Sequence, residues 1–192
     1  MEVVLVRHGE TEWSAAGRHT GRTDVPLDET GRREARALAE SLAGRDFALV
    51  LTSPLSRAVE TCRLAGLGDR AQVRDDLAEW DYGEYEGRTT DEIRAERPGW
   101  SLWDEGVVGG ETVAEVGARA DRALEEIAGA GGDVAVFAHG HVLRVLGARY
   151  LRLPPGDGRL LALDPATVSV LGHEHEWRVI RAWNERPGPL TR

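Results

Sequence analysis

Three short apolar runs, at 3–6, 47–51 and 134–138, each break off at residues that can bind or attack an anion. Val3-Val4-Leu5-Val6 stops at Arg7-His8-Gly9, the second run at Thr52-Ser53-Pro54, and the third at His139-Gly140-His141. Continuous apolar runs of this length read as strands covered on both faces, as in a parallel sheet. Helical patterns stand between them, and two further strand candidates, 166–172 and 176–183, read as a hairpin. The expected fold is therefore α/β, a three-layer open, mostly parallel sheet with helices on both faces and a C-terminal antiparallel hairpin. Ligands in such sheets sit beyond the carboxyl ends of the strands, where these polar residues lie.

The spacing predicts a helix over 32–43, with Ala35, Leu38, Ala39 and Leu42 on one face. A second follows Ser53-Pro54 and stops near Gly66, with Ser53 as a suitable N-cap and Pro54 suited to the first helical position. Others are expected over 89–97, 112–128 and 141–150. Residues 11–30 read as a polar loop, 75–88 as an irregular acidic and aromatic segment, and 98–110 as a Trp- and Gly-rich stretch. No repeat or linker divides the 192 residues, so a single domain over 1–192 is expected.

Composition narrows the function. The net charge of −9 argues against nucleic-acid binding, since phosphate backbones reward basic surfaces. No apolar run is long enough to span a membrane, and the first one is too short and too early for a signal peptide. A single cysteine, Cys62, allows no intramolecular disulfide and no thiolate cluster, and reads as a small buried hydrophobe. A cytoplasmic protein, monomer or homodimer, is expected. All 24 basic residues are Arg, which removes Schiff-base and P-loop lysine chemistry. Any anion site must be built from Arg, His and backbone N–H groups.

If the strand ends are neighbours, Arg7, His8, Arg57 and His139 meet at one sheet edge, close to helix N-termini. Two Arg and two His suit a tetrahedral dianion, because guanidinium donors match phosphate oxygens in pairs. A neutral imidazole can also attack phosphorus, and nearby Arg charges keep it neutral. This is phosphate chemistry with no metal and no cofactor expected.

The same residues resemble the histidine phosphatase superfamily, which holds cofactor-dependent phosphoglycerate mutases and many phosphatases. Leu5-Val6-Arg7-His8-Gly9-Glu10-Thr11-Glu12-Trp13 looks like its signature. Thr52-Ser53-Pro54-Leu55-Ser56-Arg57-Ala58-Val59-Glu60-Thr61 and Phe137-Ala138-His139-Gly140-His141 are similar to its second and third motifs. The resemblance implies that His8 is the nucleophile and that Arg7, Arg57 and His139 clamp the phosphoryl oxygens. It implies Glu79 as proton donor, with Asp81 and Glu84 as competitors, and hence a mildly acidic optimum. Ser14 stands where many relatives carry an Asn that contacts the phosphoryl group.

Only 23 residues separate Gly87 from Glu111, a short insertion that should leave the pocket open to water. The sequence around 78–87 and 137–141 resembles a phosphatase branch that includes actinobacterial acid phosphatases. The expectation is thus a phosphomonoesterase acting on a small phosphorylated metabolite. The alternatives are a phosphoglycerate mutase, a phosphoprotein phosphatase or a non-catalytic phosphate-binding module. Ser14, Thr20, Gly21, Tyr82 and Glu111 are the substrate-binding candidates, although Glu111-Thr112 also reads simply as a helix cap. Trp100 and Trp103 read as pocket wall, dimer contact or core, His19 as surface, and His141 as a residue shaping its loop. His173 and His175 read as hairpin surface residues with no third metal ligand in view.

Overall fold

The computed structural model describes residues 1–187. Its six strands are β1 (Val3–Arg7), β2 (Phe47–Thr52), β3 (Ala71–Val73), β4 (Asp133–Ala138), β5 (Val168–Glu174) and β6 (Trp177–Glu185). They lie in the order β3-β2-β4-β1-β5-β6. The first four are mutually parallel, while β5 runs antiparallel to β1 and pairs with β6 as a hairpin. Helices on both faces complete three layers.

The layers follow from the alternation of side chains along each strand. Val3 and Leu5, with Val134 and Val136, face one side, where α6 (Val113–Ala128) and α7 (Gly140–Tyr150) bury Val116, Ala120, Ile127, Val142 and Leu146. Val4 and Val6, with Ala135 and Phe137, face the other, where α2 (Glu29–Leu42) contributes Leu38 and Leu42 and α3 (Ser56–Leu64) contributes Cys62. Both faces of β1 and β4 are therefore sealed, and the strands' polar chemistry can emerge only at their ends. Among the described residues no helix is long and apolar enough to cross a membrane.

Several local expectations change. The 11–30 segment holds a short helix, α1 (Glu12–Ala15), closed by a Thr11/Ser14 capping box, and α2 starts at Glu29 under the Asp28 side chain. Ser53 is not the N-cap of α3: Leu55 takes that place, and Ser53 Oγ accepts the Leu55 N–H at 3.2 Å. The 75–88 segment contains two 3₁₀ turns, at Asp75–Leu77 and Gly83–Tyr85. The helix expected over 89–97 is α4 (Thr90–Glu96), and the Trp-rich stretch holds α5 (Leu102–Glu105). Strand β3 was not expected, since three residues carry no periodicity. Trp100 is core, while His173 and His175 lie exposed on the hairpin.

Candidate active site

The ends of β1, β2 and β4 meet. His8 N–H donates to Ala138 O at 3.0 Å and Ser53 N–H to Phe137 O at 2.9 Å, so the ladder continues one residue past each strand. Gly9 N–H donates to Thr61 Oγ1 at 3.1 Å, and the Thr61 hydroxyl donates to Arg57 O at 2.7 Å, which ties the turn after β1 to α3. Over these ends opens a cavity of about 280 Å³ lined by Arg7, His8, Glu79, Tyr82, His141 and Arg144 among others.

Hydrogen bonding fixes the state of both strand-end histidines. The Gly9 carbonyl, which can only accept, lies 2.7 Å from His8 Nδ1. Nδ1 therefore carries the hydrogen, and Nε2 keeps its lone pair. Burial, then the charges of Arg57 and Arg7, hold His8 well below the usual histidine range, so the ring is neutral. Arg57 Nε–H, which can only donate, bonds His139 Nδ1 at 3.1 Å. His139 then holds its hydrogen on Nε2 and donates to Ser53 Oγ at 2.6 Å. The two rings lie 5.1 Å apart.

The arginines are the unusual feature. Arg57 is 0% exposed, and among the described residues its guanidinium is bound only by His139 and by the carbonyls of Thr20, Gly21 and Thr23, each carbonyl at 3.0 Å. Arg7 donates to Leu163 O and keeps a buried Nε without a hydrogen-bond partner. Neither forms an ion pair with a described residue. A buried guanidinium and a half-buried one, with only the Glu79 charge near both and no ion pair to either, favour an anion that joins them.

Among the described residues Glu79 is the one carboxylate in the cavity lining. Oε1 accepts the N–H groups of Trp80 (2.9 Å) and Val142 (3.0 Å), and Oε2 accepts that of His141 (3.0 Å). The last two belong to the first turn of α7, where free backbone donors favour an acceptor. Oε2 retains the spare lone pair. The competing carboxylates do not line the cavity: Asp81 pairs with Arg22 at 2.7 Å.

The remaining candidates divide. Ser14 and Thr20 line the cavity, but Ser14 Oγ is committed to Thr11, accepting its N–H at 2.9 Å and donating to its carbonyl at 3.0 Å. Tyr82 lines it too, with its hydroxyl 2.6 Å from His141 Nδ1. Burial raises the phenol and lowers the imidazole, so both are neutral. Gly21 lies outside the lining; it is a close-packing position, where a Cβ would sit 2.4 Å from Trp80 O. Glu111 is outside as well, gripped by Arg119 at 2.7 Å, and the helix cap expected there is made by Thr112 with Glu115. Arg57 and His139 stand directly behind His8 rather than in the wall itself.

Sequence reasoning missed several lining residues, His19, Arg18 and Arg144 among them. His19 is half-buried rather than fully exposed: its ring packs 4.8 Å from Tyr82 and 5.7 Å from Trp100, and burial lowers it to about 4. Arg18 reaches the rim from the same loop. Arg144 stacks 4.8 Å over Trp103 and donates to Gly158 O at 3.0 Å. Its position three residues after His141, on one helix face, was the available signal.

Comparison with known proteins places the chain in a family. The model of the histidine phosphatase superfamily (branch 1) matches residues 3–186, and the chain belongs to that family. It is 44% identical over 180 residues to an acid phosphatase of Mycobacterium tuberculosis, covering 90% of this chain and 87% of that protein. It is 37% identical over 164 residues to a 2,3-bisphosphoglycerate-dependent phosphoglycerate mutase of Mesorhizobium japonicum, covering 75% and 78%. A solved structure of an open-reading-frame product of Mycobacterium tuberculosis superposes with a TM-score of 0.92 at 39% identity, covering 97% and 98%. The chain is a phosphatase enzyme of this superfamily.

Proposed function

We propose that the chain, acting as a single domain over 1–192, is a metal-independent phosphomonoesterase for small phosphorylated metabolites, working through a phosphohistidine on His8. The carrying observation is a fully buried Arg57 and a half-buried Arg7, neither ion-paired with a described residue, beside a neutral histidine whose Nε2 lone pair is unengaged. In this reading a phosphoryl dianion is the missing partner of Arg7 and Arg57. His8 Nε2 attacks phosphorus, the bond to the ester oxygen breaks, and Glu79 gives that oxygen its proton. The Glu79 carboxylate then takes a proton from water, whose oxygen attacks phosphorus, and the P–N bond breaks to restore neutral His8. Arg57 orients His139, whose one N–H is given to Ser53, and the charges of Arg7 and Arg57 stabilise the phosphoryl oxygens.

The test is phosphate release from a panel of phosphomonoesters in EDTA, with His8→Ala as control. Release that needs His8, with acid-labile phosphate trapped on the wild-type chain, is the expected result; turnover retained by His8→Ala removes the covalent route. The mutase reading is favoured by the Mesorhizobium relative. It predicts interconversion of 3- and 2-phosphoglycerate after priming with a bisphosphoglycerate, and little free phosphate.

A further inference from the structure

Glu79 sits on an irregular segment, not on a strand or helix, yet a general acid must be held within hydrogen-bond reach of one oxygen. Its carboxylate is fixed from one side by α7. Its backbone is fixed from the other side by a pair of residues that never reach the cavity. Arg119, on α6, forks onto Glu111, with Nε to Oε1 at 2.7 Å and Nη2 to Oε2 at 2.9 Å. Its remaining terminal nitrogen, Nη1, donates to Asp76 O at 2.7 Å and Ala78 O at 3.0 Å. Glu111 Oε2 accepts the Asp81 N–H at 3.0 Å, Glu111 N–H donates to Asp81 O at 3.0 Å, and Trp80 Nε1 donates to Glu111 O at 2.8 Å. Ala78 and Asp81, on either side of Glu79, are thus anchored to one ion pair whose side chains are only 13% and 20% exposed, and Trp80 to the Glu111 carbonyl.

We propose that the Arg119–Glu111 pair positions Glu79 for proton transfer, which makes both of them positioning residues of the reaction. The inference rests on Glu79 being the acid. The pair acts through backbone carbonyls and amides, so its loss leaves the phosphoryl pocket standing while the carboxylate drifts. Lys at 119 keeps the charge but not the planar fork that serves a carboxylate and two carbonyls at once.

A positioning role differs from a merely structural one in its dependence on the leaving group. An alkyl phosphate needs its departing oxygen protonated, whereas p-nitrophenyl phosphate releases a stable phenolate and needs the acid far less. The quantity to compare is kcat/KM, which covers the steps up to transfer onto His8 and is blind to the later hydrolysis. Arg119→Lys and Glu111→Gln are expected to lower kcat/KM for glycerol 3-phosphate on the order of tenfold more than for p-nitrophenyl phosphate, a fraction of what a general acid contributes. In Arg119→Lys/Glu79→Gln the extra selectivity should vanish, because the pair acts through Glu79. An equal fall for both esters, or a selective loss that persists in the Glu79→Gln background, overturns the proposal. Glu79→Gln alone separates the two readings: without a leaving-group effect of its own, the acid assignment falls and takes this inference with it. With such an effect and none in Arg119→Lys or Glu111→Gln, only the positioning role is lost.

Discussion

His19 makes acid stability measurable at a single residue. Its ring is enclosed by Tyr82, Trp100 and His141, its Nε2 has no hydrogen-bond partner, and burial lowers it from 6.5 to about 4. The unfolded chain therefore binds this proton below about pH 6.5, while the folded chain refuses it down to about 4. More protons on the unfolded state mean that stability falls as pH falls through that window. Integrated from pH 7.5 to pH 5, a group shifted this far costs about 2 kcal/mol, and partial exposure of the ring trims that to about 1–2 kcal/mol. The assay is urea unfolding of wild type and His19→Phe at both pH values. His8 and His139 are displaced in the same direction, but they titrate in both proteins and cancel from the comparison; His141, which His19 helps to hold down, moves the gap in the same direction as His19 itself. The gap between the two proteins should shift by about 1–2 kcal/mol in favour of the variant at pH 5. A gap that stays constant would refute the claim that burial keeps His19 neutral.

Gly31→Ala should be destabilised by about 1–3 kcal/mol and so unfold at lower temperature, because its Cβ would lie 2.1 Å from Glu10 O at the turn carrying His8. Differential scanning calorimetry reads this directly. Cys62, buried and pushed up to about 12, should not react with a thiol reagent at pH 8 until urea exposes it; prompt labelling of the native chain would contradict its burial. Inorganic phosphate at a hundred times its Kd should stabilise the fold by about 3 kcal/mol, and an equal ionic strength of chloride should not.

What the sequence made legible were features set by short-range rules. The runs at 3–6 and 134–138 are apolar because both faces of β1 and β4 are covered, and the residues that follow must then emerge at the strand ends. Arg7, His8, Arg57 and His139 could therefore be assembled before any coordinates. Glu79 was chosen by resemblance, and only the structure supplies a reason for its place, the N-terminus of α7. The roles of His19, Arg144 and Glu111 were hidden because each depends on a partner far along the chain: Tyr82, Trp103 and the 76–81 segment. Strand β3 was hidden for a similar reason, since its three residues are strand only because β2 offers a free edge.

The treatment of Arg57 links recognition to loop order. A buried guanidinium without a carboxylate needs oxygen acceptors from somewhere, and here three carbonyls from residues 20–23 provide them. Those same residues follow His19 and include Thr20 of the cavity wall. Glu86 holds the segment from the other side, accepting the N–H groups of Gly21 at 2.8 Å and Thr23 at 3.0 Å. If Arg57 attracts the phosphoryl group as proposed, the same cation is also the hub that folds part of the pocket around it. A carboxylate partner would solvate Arg57 equally well, yet it would cancel the charge the dianion needs. Carbonyls solvate the guanidinium and leave its charge intact. A protein with a net charge of −9 can in this way keep a positive interior at one sheet edge, with Glu79 the single carboxylate among the described residues of the wall.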